Sequence, residues 1–379
     1  MNSKWLFLLI VCFVFTGCHK DINKPEETPL TDILGNGPYS GEYWPTQGWR
    51  ACAPEAVGMD PEKLKLAYQY AADPALKTEG IIVIKNGYIV CEAYLNGMTI
   101  NTPHTSYSVA KSFASALIGI ARDKGLIKSV DDKIYNFFPQ WQLPATPEIK
   151  KRISIRHLLT MSAGIQWLEE DYYSANSQDD IFRMYREAFD FIQYILNKPV
   201  NAEPGTRWYY SSGESILLSG IIERTTGMKA SDFAKKYLFT PLNMPDIFWE
   251  SDPSGHTITG WGLHATLRQY AKFGYLYLKK GQWEGKQVVS EAWIEESTRP
   301  ASEEINHYAC QWWLPAAFKD YEKYTIPAGT FLGVGIYTQR LYVVPEKDLV
   351  VVRLGNDPTP PPEKWNTLQF LSLILDAIK

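Results

Sequence analysis

The stretch Tyr107-Ser108-Val109-Ala110-Lys111-Ser112 is followed by Phe113, Ala114, Ala116, Leu117 and Ile120, an apolar spacing that predicts a helix. Ser108 and Lys111 stand three apart, so on a helix they share a face and the amine can lie beside the hydroxyl. A serine in the first turn also meets the free N–H groups and positive end of the helix dipole, which favour developing negative charge. A hydroxyl is a weak nucleophile until a base takes its proton, and a partly desolvated lysine can do that. This is the only Ser-x-x-Lys in the chain. A chain of this length contains about one by chance, so the neighbouring segments decide its meaning.

Upstream, Ile81-Ile82-Val83-Ile84-Lys85 and Tyr88-Ile89-Val90-Cys91-Glu92-Ala93-Tyr94 flank Asn86-Gly87, a two-residue hairpin signal. Before them Asp60-Pro61, with Leu64, Leu66, Ala67, Tyr70 and Ala71, predicts a helix capped by Asp60. Downstream, Ser154 to Met161 reads as a short helix, in which His157 is expected to be structural. Trp167, Tyr172 and Tyr173 follow on a polar loop, where aromatics can line a cleft. Tyr210-Ser211-Ser212 leads into an apolar helix from Ser215 to Thr225, closed by Gly227. A tyrosine there can be presented into a cleft, and would need its pKa lowered by a cation such as Lys111 to act as a base. A further helix is expected over 267–279. Strands then return at Gly333 to Tyr337, Leu341 to Pro345 and Leu349 to Leu354, before a closing amphipathic helix over 362–379. Strands at both ends of a helical middle predict an α/β fold, an antiparallel sheet flanked by helices, with an all-helical subdomain inserted over roughly 125–285.

The 379 residues suffice for one large domain, and a formal net charge of −4 offers no basic face for nucleic acid. Lys4, the apolar run Trp5 to Phe15 and Thr16-Gly17-Cys18 have the form of an export signal ending at a lipidated cysteine. Residues 1–18 are therefore expected to be removed up to Cys18, 19–48 to be a tether, and 49–379 to be the globular domain. The expected location is the bacterial cell envelope, with the membrane reached through the lipid anchor only. Cys52, Cys91 and Cys310 remain, enough for at most one disulfide, and no Cys/His spacing suggests a metal.

Four ordered stretches carry a resemblance that extends from about Ala53 to the C-terminus: Thr105 to Leu126, Ile153 to Gly164, Tyr210-Ser211-Ser212, and Leu341 to Asn356. Together they resemble the serine β-lactamase superfamily, in its class C-like branch of esterases, carboxypeptidases and 6-aminohexanoate-dimer hydrolases. The resemblance implies an acyl-enzyme on Ser108, with Lys111 as its proton partner and Tyr210 as general base and later acid. It implies an oxyanion hole from the N–H groups of Ser108 and Ile336, a substrate-facing set of His264, Trp167 and Tyr337, and no cofactor. The chain departs from the β-lactamase pattern at Phe331 to Gln339, which contains no lysine, and Lys-Thr-Gly occurs nowhere. Esters or small linear amides are therefore the expected substrates. A β-lactamase or D-Ala carboxypeptidase, or a non-catalytic surface binding protein, is the alternative.

Overall fold

The computed structural model describes residues 33–174, 176–358 and 364–379. The segment containing Cys18 lies outside the described residues. Five strands form one antiparallel sheet: β1 (Thr78–Lys85), β2 (Tyr88–Tyr94), β3 (Phe331–Gly335), β4 (Gln339–Val344) and β5 (Leu349–Gly355), in the spatial order β2-β1-β5-β4-β3. The β1–β2 hairpin turns at Asn86 and Gly87, both at positive φ (50° and 83°), as a two-residue turn requires to match strand twist.

Both faces of the sheet are covered, which explains why its strands carry runs such as Ile81-Ile82-Val83-Ile84 and Leu349-Val350-Val351-Val352 rather than an alternating pattern. Ile82, Ile84, Val343, Val350 and Val352 join one core, with α1 (Ala110–Asp123) and α2 (Leu267–Leu278). Ile81, Val83, Tyr342, Val344, Leu349 and Val351 join the other, with the helices Pro61–Ala71 and Thr367–Asp376. Asp60 caps the first of these as its sequence predicts, accepting from the N–H groups of Glu62 and Lys63. All residues of α1 from Ala110 to Ala121 are buried, Lys111 and Ser112 included. Gly119 gives α1 its close approach to Trp293: a Cβ there would lie 2.1 Å from the indole Cδ1. Gly119→Ala is expected to cost about 3 kcal/mol through overpacking, read as a lower urea midpoint with unchanged slope.

Two boundaries differ from expectation. The helical insertion ends near residue 262, because α2 packs on the sheet beside β1, β4 and β5 and belongs to the sheet domain. The described part of the expected tether, 33–48, is built into the fold. Ile33 is buried with Cys52 and Val90, and the Gly35 N–H donates to the Val90 carbonyl at 2.9 Å. Trp283 Nε1 donates to Thr46 Oγ1 at 2.7 Å, and Lys272 Nζ to the Thr46 carbonyl at 3.0 Å. The Pro- and Gly-rich composition suggests a linker, but Ile33 and Trp44 supply apolar surface worth burying. Cys52, Cys91 and Cys310 are buried and free, so none of the three is paired. Among the described residues no helix is long and apolar enough to cross a membrane.

Candidate active site

Ser108 sits in a tight 3-10 turn, Tyr107–Val109, that runs directly into α1. Tyr107 holds a φ of 45°, a strained conformation for a bulky residue that persists only where its surroundings impose it. Here the Ser106 hydroxyl donates to the Tyr107 carbonyl at 3.0 Å, and the Ser106 N–H donates to the Leu263 carbonyl at 2.7 Å. β3 ends against this turn. A side chain on Gly335 would bring its Cβ to 2.6 Å from the Ser106 carbonyl oxygen, so only glycine lets the two backbones meet.

Lys111 Nζ makes three hydrogen bonds: to Ser108 Oγ at 2.9 Å, to Ser212 Oγ at 2.9 Å and to the Gly260 carbonyl at 2.8 Å. The lysine is 1% exposed. Burial lowers its pKa to about 8, against the opposing attraction of Glu169. The Tyr210 ring lies 4.8 Å from Lys111 Nζ and stacks on Trp313 at 5.6 Å between centroids. Ser108, Lys111 and Tyr210 are therefore one constellation. The expected lowering of the Tyr210 pKa is not found. Burial, with the charge of Glu169 added, pushes the phenol upward, while a hydrogen bond with Ser108 works weakly the other way. The Lys111 amine thus gives up its proton more readily than an exposed lysine, whereas Tyr210 is held as a phenol.

A cleft of about 190 Å³ opens onto Ser108. Its polar lining includes Ser212 and Glu169, and its apolar lining Tyr107, Phe182, Trp261, Ile336 and Tyr337. Tyr337 meets Tyr107 edge-on at 5.1 Å between centroids. β3 stops at Gly335, and Ile336 to Thr338 form a loop with Tyr337 and Thr338 at φ of 58° and 67°. Gln339, fully buried, pins that loop: its side-chain amide donates to the carbonyls of Ile336 (3.2 Å), Tyr337 (3.1 Å) and Gly355 (2.6 Å).

Two expected substrate-facing residues lie elsewhere. Trp167 is 6% exposed and packs against Gly213, and its Nε1 donates to Glu169 Oε2 at 2.5 Å. It is a support, buried because the loop folds inward over it. His264 does not line the cleft; it sits in a short strand beside Thr105, with Nε2 2.7 Å from Glu250 Oε1. His157 is structural, as expected: its ring closes a capping box with Ser154.

Two site residues have no local sequence signal. Glu169 lies in the acidic run Glu169-Glu170-Asp171, which reads as solvated surface, yet it is 7% exposed. Asp179 Oδ2 accepts from the N–H groups of Glu170 and Asp171, and Asp180 Oδ2 from that of Leu168, which turns the loop inward. Gln311 joins three helices: it accepts from Ser112 Oγ and Ser215 Oγ, and donates to the carbonyls of Leu158 and Leu159. A larger, mostly apolar cavity of about 520 Å³, beside Pro315 and Pro327, contains no member of this constellation.

The chain has relatives among known proteins. The pattern that defines the Beta-lactamase family matches residues 70–373. The 6-aminohexanoate-dimer hydrolase of Paenarthrobacter ureafaciens is 25% identical over 326 residues, covering 79% of each chain. A Bacillus anthracis structure provisionally titled 6-aminohexanoate-dimer hydrolase superposes with a TM-score of 0.68 at 22% identity, over 91% of this chain and 87% of that one. EstCE1, described as a hydrolase with promiscuous acyltransferase activity, superposes with a TM-score of 0.64 at 14% identity, over 84% of this chain and 97% of its own. These likenesses carry the fold, an α/β architecture with a flanked antiparallel sheet. With the match spanning all five strands of the sheet and the whole helical insertion, the chain belongs to the Beta-lactamase family and is a serine hydrolase.

Proposed function

We propose that this enzyme forms an acyl-enzyme on Ser108 and hydrolyses carboxylic esters or small linear amides. The observation that carries the reading is the buried Lys111 amine, 2.9 Å from Ser108 Oγ and 4.8 Å from the Tyr210 ring, with Ser108 lining a mostly apolar cleft. Neutral Lys111 takes the Ser108 proton as the serine oxygen bonds to the substrate carbonyl carbon. The Ser108 N–H, and that of Ile336 at the end of β3, are the proposed donors to the tetrahedral oxyanion, commonly worth about 3 kcal/mol each. Tyr210 gives its phenol proton to the leaving oxygen or nitrogen and recovers one from Lys111. Water then repeats the sequence on the acyl-enzyme. Among the described residues no lysine or arginine lines the cleft, which supports uncharged substrates over β-lactams or D-alanyl termini, whose carboxylate needs a cation. The relatedness to a 6-aminohexanoate-dimer hydrolase supports amides alongside esters. The export signal read over 1–18 supports an envelope location, anchored at Cys18.

The role of Tyr210 has a distinctive test. An alkoxide or amide anion leaves poorly unless protonated, whereas p-nitrophenolate leaves without a proton. Tyr210→Phe is therefore expected to lose about 10²-fold in kcat on an alkyl ester and far less on the p-nitrophenyl ester. Steady-state rates on the two substrates decide it. Full turnover of both would remove Tyr210 from the chemistry.

A further inference from the structure

Four hydrogen-bond donors converge on the Glu169 carboxylate. Trp167 Nε1 (2.5 Å) and the Ser212 N–H (2.6 Å) reach Oε2; Tyr172 OH (2.5 Å) and Ser212 Oγ (2.5 Å) reach Oε1. The hydroxyl proton of Ser212 is thereby committed to Glu169, and its oxygen can only accept from Lys111. The Gly260 carbonyl can also only accept. A protonated Lys111 satisfies both and donates its third N–H to Ser108. A neutral amine has two N–H bonds and one lone pair. With both N–H bonds claimed by Ser212 and Gly260, the lone pair is left pointing along the third direction, at Ser108 Oγ.

We propose that Glu169 is a positioning residue which, acting through Ser212, aims the lone pair of neutral Lys111 at the Ser108 hydroxyl. The inference deepens the acyl-enzyme reading above and rests on it. Its consequence is directional: a base that must accept from Ser108 rather than donate to it is selected before substrate arrives, at no cost in reorganisation during the reaction. Glu169 is also the charge that favours the ammonium form of Lys111 against burial. The other titratable groups around the amine are Tyr210 and, across Glu169, Tyr172, both pushed upward by burial and held as phenols.

Glu169→Gln tests this without changing shape. Its amide oxygen can keep the Trp167 and Ser212 N–H bonds, but its NH2 donates to Ser212 Oγ, freeing the Ser212 proton to turn onto the lysine lone pair. The probe is an alkyl fluorophosphonate, with which Ser108 Oγ forms an O–P bond, the P–F bond breaks, fluoride leaves and the serine proton passes to Lys111. Labelling rates are followed from pH 6 to 10, with the modified peptide identified by mass. In Glu169→Gln the plateau rate is expected to fall about 10-fold to 100-fold. Its acid limb is expected to move to lower pH, because the charge that raises the lysine pKa is gone; a merely structural role would not move that limb. The same substitution made on Ser212→Ala is expected to add little, since the relay is already cut. A wild-type plateau and limb, or full additivity with Ser212→Ala, would overturn the relay while leaving acylation of Ser108 intact. A wild-type enzyme that never labels at Ser108 would overturn both readings. Should Glu169→Gln not fold, as judged by circular dichroism, Ser212→Ala with a wild-type plateau overturns the relay by itself.

Discussion

Ser108→Ala is expected to remove the burst of p-nitrophenol that the wild-type enzyme gives in stopped flow, and to lower steady-state turnover by about 10⁴-fold or more. A burst close to one equivalent per enzyme reports acylation followed by slower deacylation. The substitution deletes one oxygen at a turn whose backbone is held by Ser106, Leu263 and Gly335, so the variant should keep the wild-type fold and melting temperature. Residual turnover near the wild-type level in a folded Ser108→Ala sample would place the nucleophile elsewhere.

Lys111→Met is expected to lower kcat/KM by about 10³-fold or more while leaving the protein at least as stable as wild type at pH 7. The two halves of this prediction share one cause. Burial lowers the lysine pKa from 10.5 to about 8, so the ammonium is less favourable in the folded state than in the unfolded one. The unfolded chain binds the extra proton between those values, and stability therefore rises as pH increases from about 8 towards 10.5; below about pH 8 the full penalty is present. It amounts to about 3 kcal/mol before allowing for the hydrogen bonds that methionine would forfeit to Ser212 and the Gly260 carbonyl. Urea unfolding at pH 7 and pH 10 measures it: the gap between variant and wild type should narrow at the higher pH. In wild type, kcat/KM should rise through about pH 8 as the amine becomes neutral. A flat profile from pH 6 to 9 would remove Lys111 as the base.

The proposed role of Lys111 gives a reason for keeping an amine in so unfavourable a place. A solvated lysine at pH 7 is almost wholly protonated and cannot accept a proton. At a pKa of about 8, roughly a tenth is neutral at that pH, at the expense of stability.

What the sequence determines by itself is what neighbours along the chain can decide. Ser108 and Lys111 meet because three residues of helix bring them to one face. Asn86-Gly87 turns the hairpin because both positions accept positive φ, and Asp60, Ser154 and Gly227 end helices through bonds to adjacent backbone. The unbroken apolar runs of β1 and β5 already imply a sheet covered on both sides. Tertiary structure decided the rest. Tyr210 and the Gly260 carbonyl come to Lys111 from about 100 and 150 positions away. Nothing local distinguishes Glu169 from its exposed neighbour Glu170, or Trp167 from a cleft-lining aromatic, until Asp179 and Asp180 fold the loop inward. Residues 33–48 read as a linker until the edge strand β2 gives Ile33, and Tyr275 and Trp283 give Trp44, something to pack on. The pKa shifts behind the proposed base and acid follow the same rule: they depend on how much water the whole fold removes from Lys111 and Tyr210, and desolvation is a property of the packed molecule rather than of any segment.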